Sequence, residues 1–435
     1  MTYTSDALFT ERQAFVRRLL GVAEIAITVG ILFFLSHALI PLLIHGSADD
    51  SMVNPIPPLP VERYLSWLMY LFVILQWAIR PGMLLKGLFR NPFIPALVCL
   101  AAISAIWSVN TYETVRSAFA LGMATLLGVY LGCRYSLQGL LRLLAVALGL
   151  GVVLSLYFGV FIPDIGVAHG FNEGAWQGAF TQKNVLGQTM VLAATVFALL
   201  ANRRPAFRAV NIAITGSALV LILLSRSTTA ALECGSLAVV GILAILIRRG
   251  HRSAAALLVT CLLSVILIVT LTYRERVLGT VGKDATLTGR TALWSAVSKR
   301  IAERPILGYG YGAFWSGSSG PWEDVVADIG FFSPHSHNGF LDLLLDFGAA
   351  GSAVFVGAFV FVTRRSWIAF RQSTEIDTAW PIVFLVLIVL SDVTESTISQ
   401  SYLAWALFVA MGACVNRTVT RAPFRIRLPN KAPSR

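Results

Sequence analysis

Three short stretches of the chain carry residue types that handle an anionic group and a proton. The first is Ser225-Arg226-Ser227-Thr228-Thr229, where one arginine stands alone between two apolar runs. At a membrane edge such a guanidinium either snorkels to the headgroups or points inward, where its planar fork suits a phosphate. Glu233 follows seven residues on, two turns along the same helical face. An acid inside a span is costly, so Glu233 reads either as the group that holds Arg226 or as a satisfied structural pair. The second stretch runs from Gly282 to Arg290 and on to Trp294. Thr288 can cap a helix opening near Arg290, with Leu293, Trp294 and Val297 on its apolar face. Arg290 then sits at the positive end of a helix, a favourable place for an anion; the alternative is an ordinary solvated arginine.

The third stretch, Ser333-Pro334-His335-Ser336-His337-Asn338-Gly339, holds two of the six histidines. Imidazole titrates near neutrality, so His335 or His337 suits a general base. As metal ligands they would need further partners, and no other Cys or His lies nearby, so no metal and no cofactor is expected. Asn338 either orients the base or binds a sugar hydroxyl. Asp342 and Asp346, four apart on the helix that follows, either line the polar side of a cavity or sit at an interface. Lys183 lies downstream of Trp176, and reads as a contact for an anionic donor or as a surface anchor beside an aromatic. Gly308-Tyr-Gly-Tyr-Gly312 has no strand and βαβ context for a dinucleotide fingerprint and reads as a tight turn.

These residues need a scaffold, and the composition names it. Of 435 residues 56% are apolar and 13% charged, about half the ~25% charge of soluble domains; the mean hydropathy is +0.74. The apolar residues fall in blocks long enough to cross a bilayer, for which roughly 20 suffice. Spans are expected at 20–44, 64–80, 92–108, 115–133, 140–162, 184–201, 208–224, 227–247, 253–272, 338–362, 379–396 and 400–415, with Asp392 and Glu395 marking a short turn between the last two. The fold class is therefore all-α: a polytopic membrane protein with about twelve transmembrane helices. The alternating segments of a transmembrane barrel do not occur. The first apolar block is too long for a signal-peptide core and reads as a retained span. The five cysteines, Cys99, Cys133, Cys234, Cys261 and Cys414, form no CxxC and read as small hydrophobes.

Basic residues orient the chain. Sorted by connection, 23 of the 34 Lys and Arg fall on one side with both termini, and the short connections opposite carry only Arg63, Arg116, Lys183 and Arg226. The positive-inside rule puts both termini in the cytoplasm and explains most of the net charge of +12 without nucleic acid. The expected organisation is a cytoplasmic N-terminus at 1–19, helices one to nine over 20–272, and a large periplasmic loop with short helices at 273–337. Helices ten to twelve follow over 338–415, then a basic cytoplasmic tail at 416–435 that suits anionic lipid.

The run Thr286-Leu-Thr-Gly-Arg290 with Trp294, then Pro305 and Gly308-x-Gly310, then His335-Ser-His-Asn-Gly-Phe-Leu-Asp342, resembles the O-antigen ligase/polymerase superfamily. Ser225-Arg226-Ser227, the span count and the loop between the ninth and tenth spans fit too. Trp107-Ser108 with Arg116, and Phe180-Thr-Gln-Lys-Asn-Val-Leu-Gly187, look like ExoQ-type exopolysaccharide polymerases. The resemblance implies a GT-C-like glycosyltransferase of the bacterial inner membrane, working at the periplasmic face without metal. Its donor would be a glycan linked to undecaprenyl diphosphate, and its acceptor a glycan or lipid A-core, with other polysaccharide-assembly proteins as possible partners. It implies that Arg226 and Arg290 bind the diphosphate, with Lys183 in support, and that His337, with His335 as the less certain partner, activates the acceptor hydroxyl. Polymerase is the favoured reading and ligase the alternative. A transporter or flippase is the remote one, because no half-to-half repeat is visible and the sixth-to-seventh connection is short.

Overall fold

Every regular element of the described residues is helical, and the only strand-like feature among them is an isolated bridge between Val167 and Trp176. The computed structural model describes residues 5–38, 60–169, 172–201, 205–251, 253, 290–317, 319–373, 376–400 and 402–421. In chain order the main helices are α1 (Ser5–Leu35), α2 (Pro60–Ile79), α3 (Pro81–Leu88), α4 (Phe93–Ile103), α5 (Thr111–Arg134), α6 (Leu137–Phe161) and α7 (Lys183–Ala201). They continue with α8 (Pro205–Leu224), α9 (Thr228–Arg248), α10 (Arg290–Glu303), α11 (Trp322–Ile329), α12 (Gly339–Gln372), α13 (Trp380–Thr394) and α14 (Tyr402–Arg421).

Seven of these are long and apolar enough to cross a bilayer, and an eighth is reached if the bent pair α2–α3 is one span. Three shorter apolar helices, Phe93–Ile106, Trp380–Thr394 and Tyr402–Val415, fall where further spans were expected. The protein is thus multi-pass and, among the described residues, all-helical with seven or eight full-length candidate spans. The expected ninth span at 253–272 lies outside the described residues, as do Lys283 and Thr288. The α2–α3 bend of 104° has a local cause: Pro81 opens the second helix and its ring cannot continue the first.

Two features hold the bundle. Gly128 and Gly132 of α5 face α14, where a Cβ would lie 2.6 Å from the Ala406 carbonyl oxygen and 2.4 Å from that of Ala410. Their missing side chains let two helices touch backbone to backbone, the small-xxx-small packing of membrane helices. Far along α5, Glu24 of α1 accepts from Arg80 at 3.1 Å, Arg134 at 2.9 Å and the Tyr130 hydroxyl at 2.8 Å. This carboxylate ties three helices at the end of the bundle remote from the histidines.

At the histidine end, α12 breaks at Gly348, whose φ of 60° and ψ of −163° no helix allows. The turn at 308–312 fills the break. Tyr309 N–H donates to the Leu345 carbonyl at 2.7 Å, and Ala349 and Ala350 N–H donate to the carbonyls of Pro305 and Ile306 at 2.8 and 3.0 Å. Irregular backbone survives inside a membrane protein when its polar groups are paired in this way. The turn also carries a small core, in which Leu293, Val297, Phe314, Val325 and Leu345 pack α10 and α11 onto α12.

Candidate functional site

One carboxylate organises the site, and it was read from the sequence only as a turn marker. Glu395 follows α13 as its C-cap, where the chain leaves the helix with extended backbone. Its Oε1 accepts from Arg290 Nη2 at 2.9 Å and from Asn184 Nδ2 at 3.3 Å. Its Oε2 lies 2.8 Å from His337 Nδ1. Burial pushes the Glu395 carboxyl up, but the His337 hydrogen bond and the positive charge of Arg290 outweigh it, and the group stays below the usual glutamate range. A carboxylate accepts only, so His337 Nδ1 carries a hydrogen, and in the neutral ring the lone pair is on Nε2. That is the tautomer a general base requires.

The neighbouring imidazole is different. His335 Nδ1 accepts from the His337 backbone N–H at 3.1 Å and lies 3.4 Å from Ser396 Oγ. Its ring proton therefore sits on Nε2. Burial, with the charge of His337, lowers its pKa to about 3 against the opposing pull of Glu395, so it is neutral at physiological pH. The two rings stand 4.1 Å apart.

The backbone around them is fixed by supporting groups. Asp342 Oδ1 accepts from Ser336 N–H at 3.1 Å and from Trp315 Nε1 at 2.9 Å, and Oδ2 accepts from Ser396 Oγ. Trp294 Nε1 donates to the Ser336 carbonyl at 3.0 Å. Asn338 is the N-cap of α12: its Oδ1 accepts from the N–H groups of Phe340 and Leu341. Its amide donates to the Val393 carbonyl at 3.3 Å, so the side chain anchors the histidine segment and does not orient the ring. Asp346 is buried, and accepts from Gly312 N–H at 3.0 Å.

Arg226 occupies the corner between α8 and α9 with a φ of 50°. Its Nη1 donates to the Glu173 carbonyl at 3.3 Å and the residue is otherwise exposed. Next to it Ser227 caps α9 and gives its hydroxyl proton to Asn184 Oδ1 at 3.0 Å. Two hydrogen bonds, Ser227 to Asn184 and Asn184 to Glu395, thus join the Arg226 corner to Arg290 and His337. Lys183 is the first residue of α7, immediately before Asn184.

Two expectations change. Glu233 does not hold Arg226: it is buried, accepting from Ser391 Oγ at 2.8 Å and Gln188 Nε2 at 3.4 Å. The seven-residue spacing failed because Ser227 is the cap, so Arg226 precedes the helix and its phase. Arg116 pairs with Glu113 on the outer face of α5, with Nε 2.8 Å from the carboxylate, and makes none of the contacts of Arg290, His337 or Glu395.

His335, His337 and Glu395 each offer one ligand atom within 4.8 Å of the others, so Glu395 supplies the third metal partner the sequence lacked. The donor set fits a divalent cation poorly. Arg290 already stands 2.9 Å from the carboxylate, and its charge opposes a cation there.

The site is therefore that of a multi-pass membrane protein in which an arginine, a carboxylate and an imidazole meet, with Arg226 joined to them through Ser227 and Asn184. Residues 211–356 match the family described as O-Antigen ligase (Wzy_C). The chain is also similar to the exopolysaccharide production protein ExoQ of Rhizobium meliloti (strain 1021), at 35% identity over 101 residues. That match spans 21% of this chain and 22% of ExoQ, so the chain covers about a fifth of its curated relative. The resemblance read from the motifs is shown by these two matches.

Proposed function

We propose that the protein is a metal-independent, inverting membrane glycosyltransferase that lengthens an exopolysaccharide or O-antigen from a glycan linked to undecaprenyl diphosphate. The observation that carries this reading is Glu395 bridging Arg290 at 2.9 Å and His337 at 2.8 Å. The acceptor hydroxyl attacks the anomeric carbon and gives its proton to His337 Nε2. The bond from that carbon to the diphosphate oxygen breaks, and undecaprenyl diphosphate leaves with the electron pair. Negative charge grows on the leaving group, and fixed guanidinium groups of Arg290 and Arg226 stabilise it without a metal. Glu395 offsets the charge that His337 gains and keeps its tautomer. His335, neutral with Nδ1 occupied, is not the base. The donor's polyprenyl tail must stay in lipid while its head reaches water, which suits a site at the ends of the spans. The charge asymmetry supports a periplasmic site and cytoplasmic termini, and the bent pair counted as one span, seven long helices, three shorter apolar helices and the apolar block at 253–272 together fit twelve spans in a bacterial inner membrane.

The ExoQ match favours polymerase, with a lipid-linked repeat as acceptor. The family's description favours the second reading, a ligase that hands polymer to lipid A-core. Deleting the gene in its host and running surface and carrier-linked glycans on a gel separates them. Loss of long polymer with single repeats still made means polymerase; long polymer trapped on carrier beside bare acceptor means ligase. Arg290→Ala and His337→Ala should each fail to restore the parental pattern while inserting normally. An active, full-length His337→Ala protein would overturn the assignment of the base.

A further inference from the structure

A cavity of about 260 Å³ opens between the end of α1 and helices α7, α13 and α14. It reaches the site from a flank of its own: Asn184, Glu395 and His335 line it, whereas Arg226, Ser227, Arg290 and His337 do not. Asn184 and Glu395 form the shared wall. Arg290 and Ser227 hydrogen-bond that wall without lining the cavity.

The chemistry of the lining is selective. Near Glu395 it consists of neutral amides and hydroxyls, Gln188, Thr189, Ser391 and Thr397 among them, and none of the described lining residues is Lys or Arg. Thr397 Oγ1 is buried with no hydrogen-bond partner, an unusual cost for a polar atom that a ligand would offset. Buried Glu233 fixes Gln188 and Ser391 from behind. The deeper walls are apolar, with Leu192 and Leu407 among them. With no Lys or Arg among its described lining residues, this cavity offers a diphosphate no counter-charge. Amides and hydroxyls above apolar walls match a sugar, which shows hydroxyls at its rim and C–H groups on its faces. The volume lies just below the ~300 Å³ at which drug-sized pockets begin, room for one sugar residue.

Resting on the glycosyltransferase reading, we propose that this cavity is the acceptor subsite. It receives the attacking sugar of the acceptor glycan, opposite the arginine flank that holds the donor's diphosphate, and His335 Nε2–H donates a positioning hydrogen bond to that sugar. An inverting displacement needs such an arrangement, because nucleophile and leaving group lie on opposite sides of the anomeric carbon. His335 is suited to the task, since its Nδ1 is held by the His337 N–H and its ring lines the cavity.

The test uses the full-length protein in detergent, with undecaprenyl diphosphate as the binding probe and polymer synthesis in the deletion host as the transfer readout. Thr189→Phe and Ala404→Trp fill the cavity from opposite walls. Both should bind undecaprenyl diphosphate within about twofold of wild type, which also certifies their fold, yet lower polymer synthesis at least about tenfold. His335→Gln, which keeps an N–H donor, should retain several times the activity of His335→Phe. The proposal is overturned if the filled variants lose undecaprenyl diphosphate as Arg290→Ala does, because the cavity then belongs to the donor. It is equally overturned if they make polymer at the wild-type rate. A wild-type protein that binds no undecaprenyl diphosphate overturns the glycosyltransferase reading itself, and is told apart because no cavity variant is involved.

Discussion

Replacing Glu395 with glutamine tests the centre of the site with almost no change of shape. Three donors converge on two carboxylate oxygens: Arg290 and Asn184 on Oε1, His337 on Oε2. Glutamine offers one oxygen and one NH2, so a donor must face a donor. If the NH2 faces His337, the ring turns Nδ1 into an acceptor and its proton moves to Nε2, the atom needed as base. General-base catalysis is worth about 10²–10⁴-fold, and the same tautomer error in a serine-protease triad costs about 10⁴. If the NH2 faces Arg290, a guanidinium that is 20% exposed loses its counter-charge. Breaking a buried pair costs about 3–5 kcal/mol, an upper bound here because Arg290 still reaches water. Glu395→Gln should therefore lower transfer about 10²–10⁴-fold, while Glu395→Asp, which keeps the charge, should lose far less. The folded Glu395 carboxyl lies below its ordinary value, so its stabilisation is fully present above the unfolded value of about 4.3 and is lost as pH falls through the folded one. The gap in apparent melting temperature between wild type and Glu395→Gln should thus hold at every pH above about 4.3 and close only as pH falls below that, through the folded value. Polymer synthesis by membranes and thermal unfolding in detergent read the two effects separately. Glu395→Gln that transfers within about threefold of wild type would refute the bridging role.

Three further substitutions probe the supporting structure. Ser227→Ala removes the cap of α9 and the hydroxyl that holds Asn184 at 3.0 Å; it should cost about 1 kcal/mol of stability in a denaturation series and lower transfer by more than that loss explains. Trp294→Phe deletes the donor to the Ser336 carbonyl at 3.0 Å; a loss of about 1 kcal/mol is expected, with reduced polymer synthesis and undecaprenyl diphosphate binding unchanged. Gly348→Ala forces a Cβ to within 2.3 Å of the Ile306 carbonyl carbon at a φ of 60°. Its backbone strain alone costs about 1–3 kcal/mol, and the variant should show a markedly smaller monodisperse peak by fluorescence-detected size exclusion.

The helices were legible because a bilayer fixes the length of apolar sequence that crosses it; the expected spans at 115–133, 140–162 and 184–201 fall on α5, α6 and α7. The break at Gly348 was not, because it depends on which backbone groups find partners in the distant turn at 305–310, and the α2–α3 bend, though Pro81 sets it locally, was read as a span end. Arg226, Arg290 and His337 stood out as polar residues in an apolar chain. Glu395 stood out no less, but its meaning is a contact with Arg290 across 105 positions and with His337 across 58. Such separation is invisible to any local pattern. Of the two readings of Glu233, the pairing with Arg226 fails because a local pattern was applied across a helix boundary that Ser227 sets, and the buried, hydrogen-bonded one stands.

Among the described residues, three that are not glycine take left-handed backbone: His37 at φ 60°, Arg226 at 50° and His337 at 51°. All three border the proposed reaction centre, His37 as a lining residue of the cavity. Arg226 and His337 sit beside the ends of helices, where the chain turns into α9 and α12 within one or two residues. A left-handed residue makes that turn at a cost of about 1–3 kcal/mol, and persists only where its neighbours over-determine it. They do so at two of the three. Ser336 N–H is held by Asp342 and His337 N–H by His335, while Ser227 N–H is held by Ser225 Oγ at 3.2 Å and Arg226 N–H by the Leu223 carbonyl at 3.1 Å. The backbone thereby aims the imidazole and the guanidinium before any substrate arrives. Charge that develops on a leaving diphosphate would meet groups already in place, which is the condition under which electrostatic stabilisation costs no reorganisation.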